Sequence, residues 1–360
     1  MLDKNEVYYS MGGLPQYFNS ISEMFKYKIT NDTKNIILNT SSQPNSIPHL
    51  GTLTTLMSVF AIAEELKRVY KLNVLVQFDE IECSPKEFIE VEGHKYVKSI
   101  SDMFGESNIS ISDINMNYYY EILNFLKQES GINYQVRTYQ EFQENKYIRE
   151  GLIKVVNDQE FFIHLFNPSD NKLHIRTKCP KCLVMDKDMH KTNILEVSKK
   201  SFIVRSYCYE HGEYETLISK DSLNFIEMNT QLRDLLKGYL IAKDRKDTLT
   251  AMIDGGDWGG TWSMRIHAEG MNKLNMELPI RLFTPLILDR SGGKLSKSHY
   301  LNGKSYSYVN DYFNDYFKFI EHYCKKGLKK LYKEIKCWVN EPKKFFRNYS
   351  IDYIETIMEE

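Results

Sequence analysis

The chain has 360 residues, 42% of them apolar and 26% charged, and its 47 basic and 48 acidic side chains leave a net charge of -1. That length supports a large core without disulfides, and the charge balance excludes a disordered tail and a uniformly basic nucleic-acid binder. The longest nearly apolar stretch, Leu56 to Ala63, is far short of the roughly 18 to 20 residues that span a bilayer, the N-terminus is too polar for a secretory signal, and the six cysteines are too few for a disulfide scaffold, so a soluble, cytoplasmic protein with reduced thiols and no membrane partner is expected.

Residues 35–40 (NIILNT) read as a short buried strand, and the polar loop SSQPNSIPHLG leads into a helix from Thr52 to Tyr70. A second strand, Val74 to Phe78, follows closely and runs into the acidic turn of Asp79, Glu80 and Glu82. Strand, helix, strand in this short compass predicts an α/β fold with a Rossmann-like, doubly wound parallel sheet whose ligands sit at the C-terminal strand ends. Residues 86–165 read as mostly helical, with breaks at Gly105, Gly131 and Gly151. From 166 to 222 the pattern changes to short runs (KLHIRTK, SFIVRSYCY, EYETLIS), which predicts an inserted β module. The sheet is expected to resume at Thr248 to Ile253 and at Arg281 to Leu288. The expected division is therefore 1–165 and 223–300 for the two halves of the catalytic domain, 166–222 for the insertion and 301–360 for a helical extension. In that extension, His322 to Arg347 holds nine Lys or Arg against two acids, while Leu328, Leu331, Tyr332, Ile335, Trp338 and Val339 recur at helical spacing. This is an amphipathic basic helix, suited to covering the domain or to touching a phosphate backbone.

Three loops carry candidate chemistry. Pro48-His49-Leu50-Gly51-Thr52 lies between a strand and a helix N-terminus, where unpaired N–H groups and the helix dipole favour an anion. Asp254-Gly-Gly-Asp257 follows a predicted strand, where glycines allow a sharp turn against a ligand and a carboxylate can hold a ribose hydroxyl or an ammonium group. Ser291 to Ser298 (SGGKLSKS) carries Lys294, Ser296 and Lys297, and two lysines three residues apart can clamp a triphosphate. Separately, Cys179-x-x-Cys182 and Cys208-x-x-His211 have the residue types and spacing of a closed tetrahedral Zn²⁺ site, with His190 as the alternative fourth ligand. No open coordination position is implied, so the metal is expected to be structural. Cys83, Cys324 and Cys337 have no partner at metal spacing.

Taken together, Pro-His-Leu-Gly-Thr, Gly-Gly-Asp and Lys-Leu-Ser-Lys-Ser, in that order after successive strands, resemble the signature set of the class I aminoacyl-tRNA synthetases over roughly residues 30–300. Within that class the stretch from Thr40 to Leu66, the acidic turn and the Cys-Pro-Lys-Cys insertion look most similar to class I lysyl-tRNA synthetase. The resemblance implies ATP-dependent activation of an amino acid, lysine or lysine-like, as its adenylate. Pro48, His49, Gly51, Thr52, Gly256, Asp257, Lys294, Ser296 and Lys297 would hold ATP, with Mg²⁺ accompanying it. His49, Lys294 and Lys297 would stabilise the transferring phosphates, and Asp79, Glu80 and Asp257 would hold the amino acid. Thr52 stands where many family members have a second histidine, and the stretch NFIEMNTQLRD offers only Arg233 for the family's tryptophan- and arginine-rich segment. After Ser298 only 62 residues remain (360 minus 298), fewer than the family's helical anticodon-reading domain needs. The expected acyl acceptor is therefore a tRNA acceptor arm or a non-tRNA molecule such as a small molecule, a peptide or a carrier protein. The competing expectation is a catalytically silent paralogue that binds amino acid, nucleotide or tRNA for regulation.

Overall fold

The computed structural model describes residues 18–82, 87–105, 108–295 and 309–359. Five strands build its centre: β1 (Asn35–Ser42), β2 (Asn73–Glu80), β5 (Asn133–Arg137), β12 (Thr248–Gly255) and β13 (Ile280–Thr284). They pair in the order β13-β12-β1-β2-β5, all parallel. From β1 the chain winds outward through β2 and β5, then returns to β12 on the other side, so the direction of winding reverses at β1. Ligands of open α/β sheets bind outside the strand ends at such a reversal.

Side chains alternate across a strand, so each face of this sheet can be read from the sequence. Ile36, Leu38, Val76, Phe78, Leu249, Ala251, Ile253 and Leu282 belong to one apolar core. A short helix, α1 (Glu23–Lys26), and the long α2 (Leu50–Tyr70) and α3 (Ile111–Ser130) contribute to that core. The alternate positions Asn39, Gln77, Asp79, Arg137, Asp254 and Arg281 are polar. Helix α7 (Thr230–Lys243) covers them, tied down by ion pairs from Lys237 to Asp79 and from Asp234 to Arg281. Behind α7 lies a second apolar cluster shared with α4 (Tyr139–Glu144), α5 (Lys146–Asn157) and α6 (Gln159–Phe166).

The segment expected to be mostly helical also contains β5 and a hairpin of β3 (Ile89–Val91) and β4 (His94–Val97). Gly131 does end a helix, as the left-handed C-cap of α3. Gly151, however, lies inside α5, where a Cβ would stand 2.8 Å from Leu236 and 2.9 Å from Tyr239 of α7, so it marks a close helix crossing and not a break.

The β module comprises β6 (Ile175–Thr177), β7 (Met185–Asp186), β8 (Asn193–Leu195), β9 (Ser201–Cys208), β10 (Gly212–Ser219) and β11 (Ile226–Met228). The expected boundary at 222 falls short, because β11 pairs back onto β6, and the β3–β4 hairpin joins the module through β7. The helix Tyr316–Asn340 is interrupted at Cys324, where φ is 56°. Its apolar face, from Leu328 to Val339, is buried in the core shared with α2, which is the covering role expected of one side of this helix. After it, β15 (Tyr349–Ser350) pairs in parallel with β14 (Ile287–Leu288), adding a strand to an extension expected to be helical. Among the described residues no helix is long and apolar enough to cross a membrane.

Candidate active site

A cavity of about 410 Å³ opens at the C-terminal ends of β1 and β12. Its wall includes Thr40 to Gln43 at the end of β1, His49, Gly51 and Thr52 at the start of α2, Asp254, Gly255 and Asp257 after β12, and Lys294. Three loops, the first and last 245 residues apart in sequence (294 minus 49), thus meet in one place.

The first loop is built by its histidine. His49 is the N-cap of α2, and its Nδ1 accepts a hydrogen bond from the Gly51 amide at 2.9 Å. With Nδ1 accepting, a neutral ring carries its proton on Nε2, which gives it a donor on the ring's far side. Gly51 is required by this arrangement: a Cβ there would lie 2.8 Å from His49 Cε1. Thr52 lines the cavity and spends its amide on the His49 carbonyl. Pro48 is buried, and its carbonyl accepts from the Tyr316 amide at 3.0 Å, so the C-terminal extension reaches this loop directly.

The second loop follows β12. Gly256 packs against the wall behind the cavity, where a Cβ would approach the Thr284 carbonyl to 2.9 Å. Asp257 faces the cavity and accepts a hydrogen bond from Lys294. In the third loop Asp289 Oδ1 accepts from the amides of Ser291 (2.8 Å) and Gly293 (3.0 Å) and from the Ser291 hydroxyl (2.6 Å). This staple shapes the turn that delivers Lys294. Ser296 and Lys297 lie outside the described residues.

The acidic turn is placed differently from expectation. Asp79 and Glu80 are the last residues of β2, both buried, and neither lines the cavity. Asp79 accepts both arms of the Arg137 fork at 2.9 Å, the Asn39 amide at 2.9 Å, Gln77 at 3.1 Å, and pairs with Lys237 at 3.3 Å. Burial alone would raise its carboxyl, but Arg137, Lys237 and these hydrogen bonds outweigh burial and hold it down to about 2. A carboxylate already neutralised twice is poorly suited to take a substrate ammonium, so the geometry does not favour Asp79 for that role. Glu80 accepts from Ser112 at 2.6 Å, and Glu82 accepts the Tyr139 and Gln140 amides at the start of α4. Burial pushes Glu82 up to about 7 despite those two amides. Arg233 is buried at the first turn of α7 with its guanidinium against Met228 O and Thr230, away from the cavity lining.

Of the polar layer beneath the cavity, the sequence reading reached only Asp254 and missed Asp234, His267 and Arg281. Asp234 of α7 accepts from Arg281 at 2.6 and 3.1 Å and contacts His267 at 3.1 Å; Arg281 also reaches Asp254 at 3.2 Å. The available signal was strand alternation in TLTAMID, which puts Asp254 on the face opposite Leu249, Ala251 and Ile253.

Cys179, Cys182, Cys208 and His211 converge, with one ligand atom of each lying within 4.8 Å of all the others. Cys182 and Cys208 sulfurs are 3.4 Å apart, and His211 Nδ1 is 3.6 and 3.5 Å from the sulfurs of Cys179 and Cys208. Tetrahedral zinc bonds of about 2.3 Å to sulfur and about 2.0 Å to nitrogen require ligand-to-ligand edges of roughly 3.5 to 3.8 Å, so this donor set fits the ion. Cys182 and Cys208 flank two tight turns that bring the pairs together. His190 is not in this group: it stacks on His94 at 3.6 Å and is held by Asp186 at 3.1 Å.

No family model and no curated protein matches the sequence. Among solved structures, the chain is similar to a protein described as an arginyl tRNA synthetase from Campylobacter jejuni, at 12% identity and a TM-score of 0.41 over 89% of this chain and 68% of that one. It is similar to Mycobacterium tuberculosis methionyl-tRNA synthetase in complex with methionyl-adenylate at 13% identity and a TM-score of 0.44, over 90% of this chain and 68% of that one. A glutamate tRNA ligase from Elizabethkingia meningosepticum follows at 10% and 0.34, over 75% of this chain and 53% of that one.

Proposed function

We propose that the chain is an amino-acid-activating ligase of the class I aminoacyl-tRNA synthetase type, which joins an amino acid to AMP and passes the acyl group to an acceptor. The observation that carries this reading is the meeting of the His49, Asp257 and Lys294 loops in one cavity at the winding reversal of a parallel sheet. The lysine-like substrate and the acceptor, a tRNA acceptor arm or a non-tRNA molecule, rest on the sequence resemblance.

In this mechanism an oxygen of the substrate carboxylate attacks the α-phosphorus of ATP, forming a C–O–P bond while the bond to the β-phosphate oxygen breaks and pyrophosphate leaves. No covalent enzyme intermediate is needed. Negative charge grows on the transferring and leaving oxygens, and the chain's part is to meet it with donors already in place. His49, held by Gly51, presents Nε2–H at the helix N-terminus, and Lys294 with Lys297 would take the leaving pyrophosphate. For Lys294 that means exchanging the Asp257 carboxylate for phosphate. Mg²⁺ would travel with ATP and shield its charge. In the insertion, Cys179, Cys182, Cys208 and His211 would hold zinc, which there supplies structure by cross-linking two turns.

The test is amino-acid-dependent exchange of pyrophosphate into ATP, with lysine and then the other common amino acids, without and with bulk tRNA. Lys294→Ala and Lys297→Ala should each lower exchange by on the order of 100-fold or more, and Lys294→Ala should do so with little change in melting temperature, since that side chain is partly exposed. Exchange that ignores both substitutions would remove the loop from the mechanism. A folded, ATP-binding protein that exchanges with no amino acid would favour a regulatory binder.

A further inference from the structure

We propose that Asp254, and not the acidic turn after β2, holds the α-ammonium group of the amino-acid substrate. This deepens the function proposed above and rests on it. Asp254 is only 9% exposed, and what it exposes faces the cavity that gathers the three loops. Its sole hydrogen bond among the described residues is one long contact, 3.2 Å, from Arg281 to Oδ2. That guanidinium is already committed to Asp234 by two bonds, one of them 2.6 Å. Two buried carboxylates therefore share one arginine, and the less well served of the two is the one in the cavity wall. Burial together with Asp234 leaves the Asp254 carboxyl above its ordinary range even with Lys237 and Arg281 nearby. A buried carboxylate with an unfilled acceptor position is stabilised by a cation that brings its own N–H donors.

Position selects which cation. The attacking carboxylate must lie against the α-phosphate, near the His49 loop and the turn two residues beyond Asp254. An α-ammonium is within about 3 Å of that carboxylate by covalent geometry, whereas the ammonium at the end of a lysine side chain lies several ångströms further out. The acids of the turn after β2 are spoken for: Asp79 by Arg137 and Lys237, Glu80 by Ser112, and Glu82 by two backbone amides.

Exchange kinetics on the full chain test this. Asp254→Asn should raise KM for the active amino acid by about 30-fold or more, while KM for ATP stays within about threefold. The carboxylic acid lacking only the α-amino group of that substrate should inhibit wild type and Asp254→Asn equally. Asp254→Ser, smaller and free of new clashes, should behave as Asp254→Asn does. A rise in the ATP KM instead, as a Mg²⁺ or ribose contact would give, overturns the inference, as does an amino-acid KM that the substitution leaves unchanged. Equal weakening of the amino acid and its deaminated analogue would also overturn it. If neither variant folds, Asp254 belongs to the scaffold and the inference fails. Absence of exchange in wild type, by contrast, removes the proposed function itself and the inference with it.

Discussion

Replacing Gly51 by alanine separates the role of the first loop in chemistry from its role in folding. The new Cβ would sit 2.8 Å from His49 Cε1 and 3.1 Å from Nδ1, closer than such atoms approach, while the nearest atom outside that ring is the Leu295 carbonyl at 4.0 Å. The imidazole is the part that can give, so it must swing off the Gly51 amide. Losing a side-chain acceptor at the second helical residue costs about 0.5 to 2 kcal/mol. Exchanging glycine for alanine within a helix returns up to about 1 kcal/mol. Stability should thus fall by no more than about 2 kcal/mol, a shift of a few degrees in melting temperature. Activity should not be spared, because a catalytic donor displaced by about 1 Å can cost on the order of 100-fold in rate. Thermal melts and pyrophosphate exchange on the same preparation read both quantities. Undiminished exchange by Gly51→Ala would refute the placement of His49 by this amide, and a collapse in melting temperature would show that the ring is locked and the cap is structural.

Glu82 gives a pH signature. Its carboxyl titrates at about 7 in the folded protein, above 4.5 for the free group, so the folded state binds the extra proton. Its contribution to stability is fully present below about pH 4.5 and is lost as pH rises through 7. Glu82→Gln should therefore gain stability relative to wild type across that window, by on the order of 3 kcal/mol, with little difference below pH 4.5, in denaturant titrations at fixed pH; a pH-independent difference would show that the raised carboxyl is not Glu82. For the insertion, metal analysis should find one zinc per chain, and Cys208→Ser should lose it and expose the β9–β10 hairpin to protease while the central sheet survives. Full protection without metal would mean that the packing of Phe202, Val204 and Ile218 holds the module unaided.

Much of the sheet was legible because its strands bury one apolar face in a period of two. NIILNT and TLTAMI show Ile36, Leu38, Leu249, Ala251 and Ile253 on a common side, and the structure puts those residues in one core. By contrast, β5 has the sequence NYQVR, with Asn133 and Gln135 exposed at the sheet edge, and carries almost no apolar period to detect. The convergence of Cys179, Cys182, Cys208 and His211 was legible from spacing alone, since two turns at the ends of short strands need only bring two pairs together. The acidic turn was misleading for a physical reason: its charges are visible in sequence, but the groups that neutralise them come from residues 58 to 158 positions away, Arg137 and Lys237. Charge shows what a residue needs, and only the fold shows what already supplies it.

The same reasoning bears on the C-terminal extension. Its lysine-rich sequence invites a reading as a polyanion contact, yet its apolar face is buried on α2 and two of its lysines are engaged by acids of the domain, Lys329 with Glu129 and Lys336 with Glu64. It also touches the His49 and Lys294 loops at their roots. The Tyr316 amide binds the Pro48 carbonyl, β15 pairs with the strand that leads into the Lys294 loop, and Arg290 at the head of that loop pairs with Asp352 at 2.8 Å. The Arg290 pair is half exposed and contributes little by itself. The backbone pairing of Tyr349, whose ring stacks on the fully buried Trp338 at 3.9 Å, is the stiffer link. An element fixed to the base of both loops limits how far they can part, and in the reaction proposed above, which depends on positioned donors, such a limit would act on the rate through the geometry of His49 and Lys294.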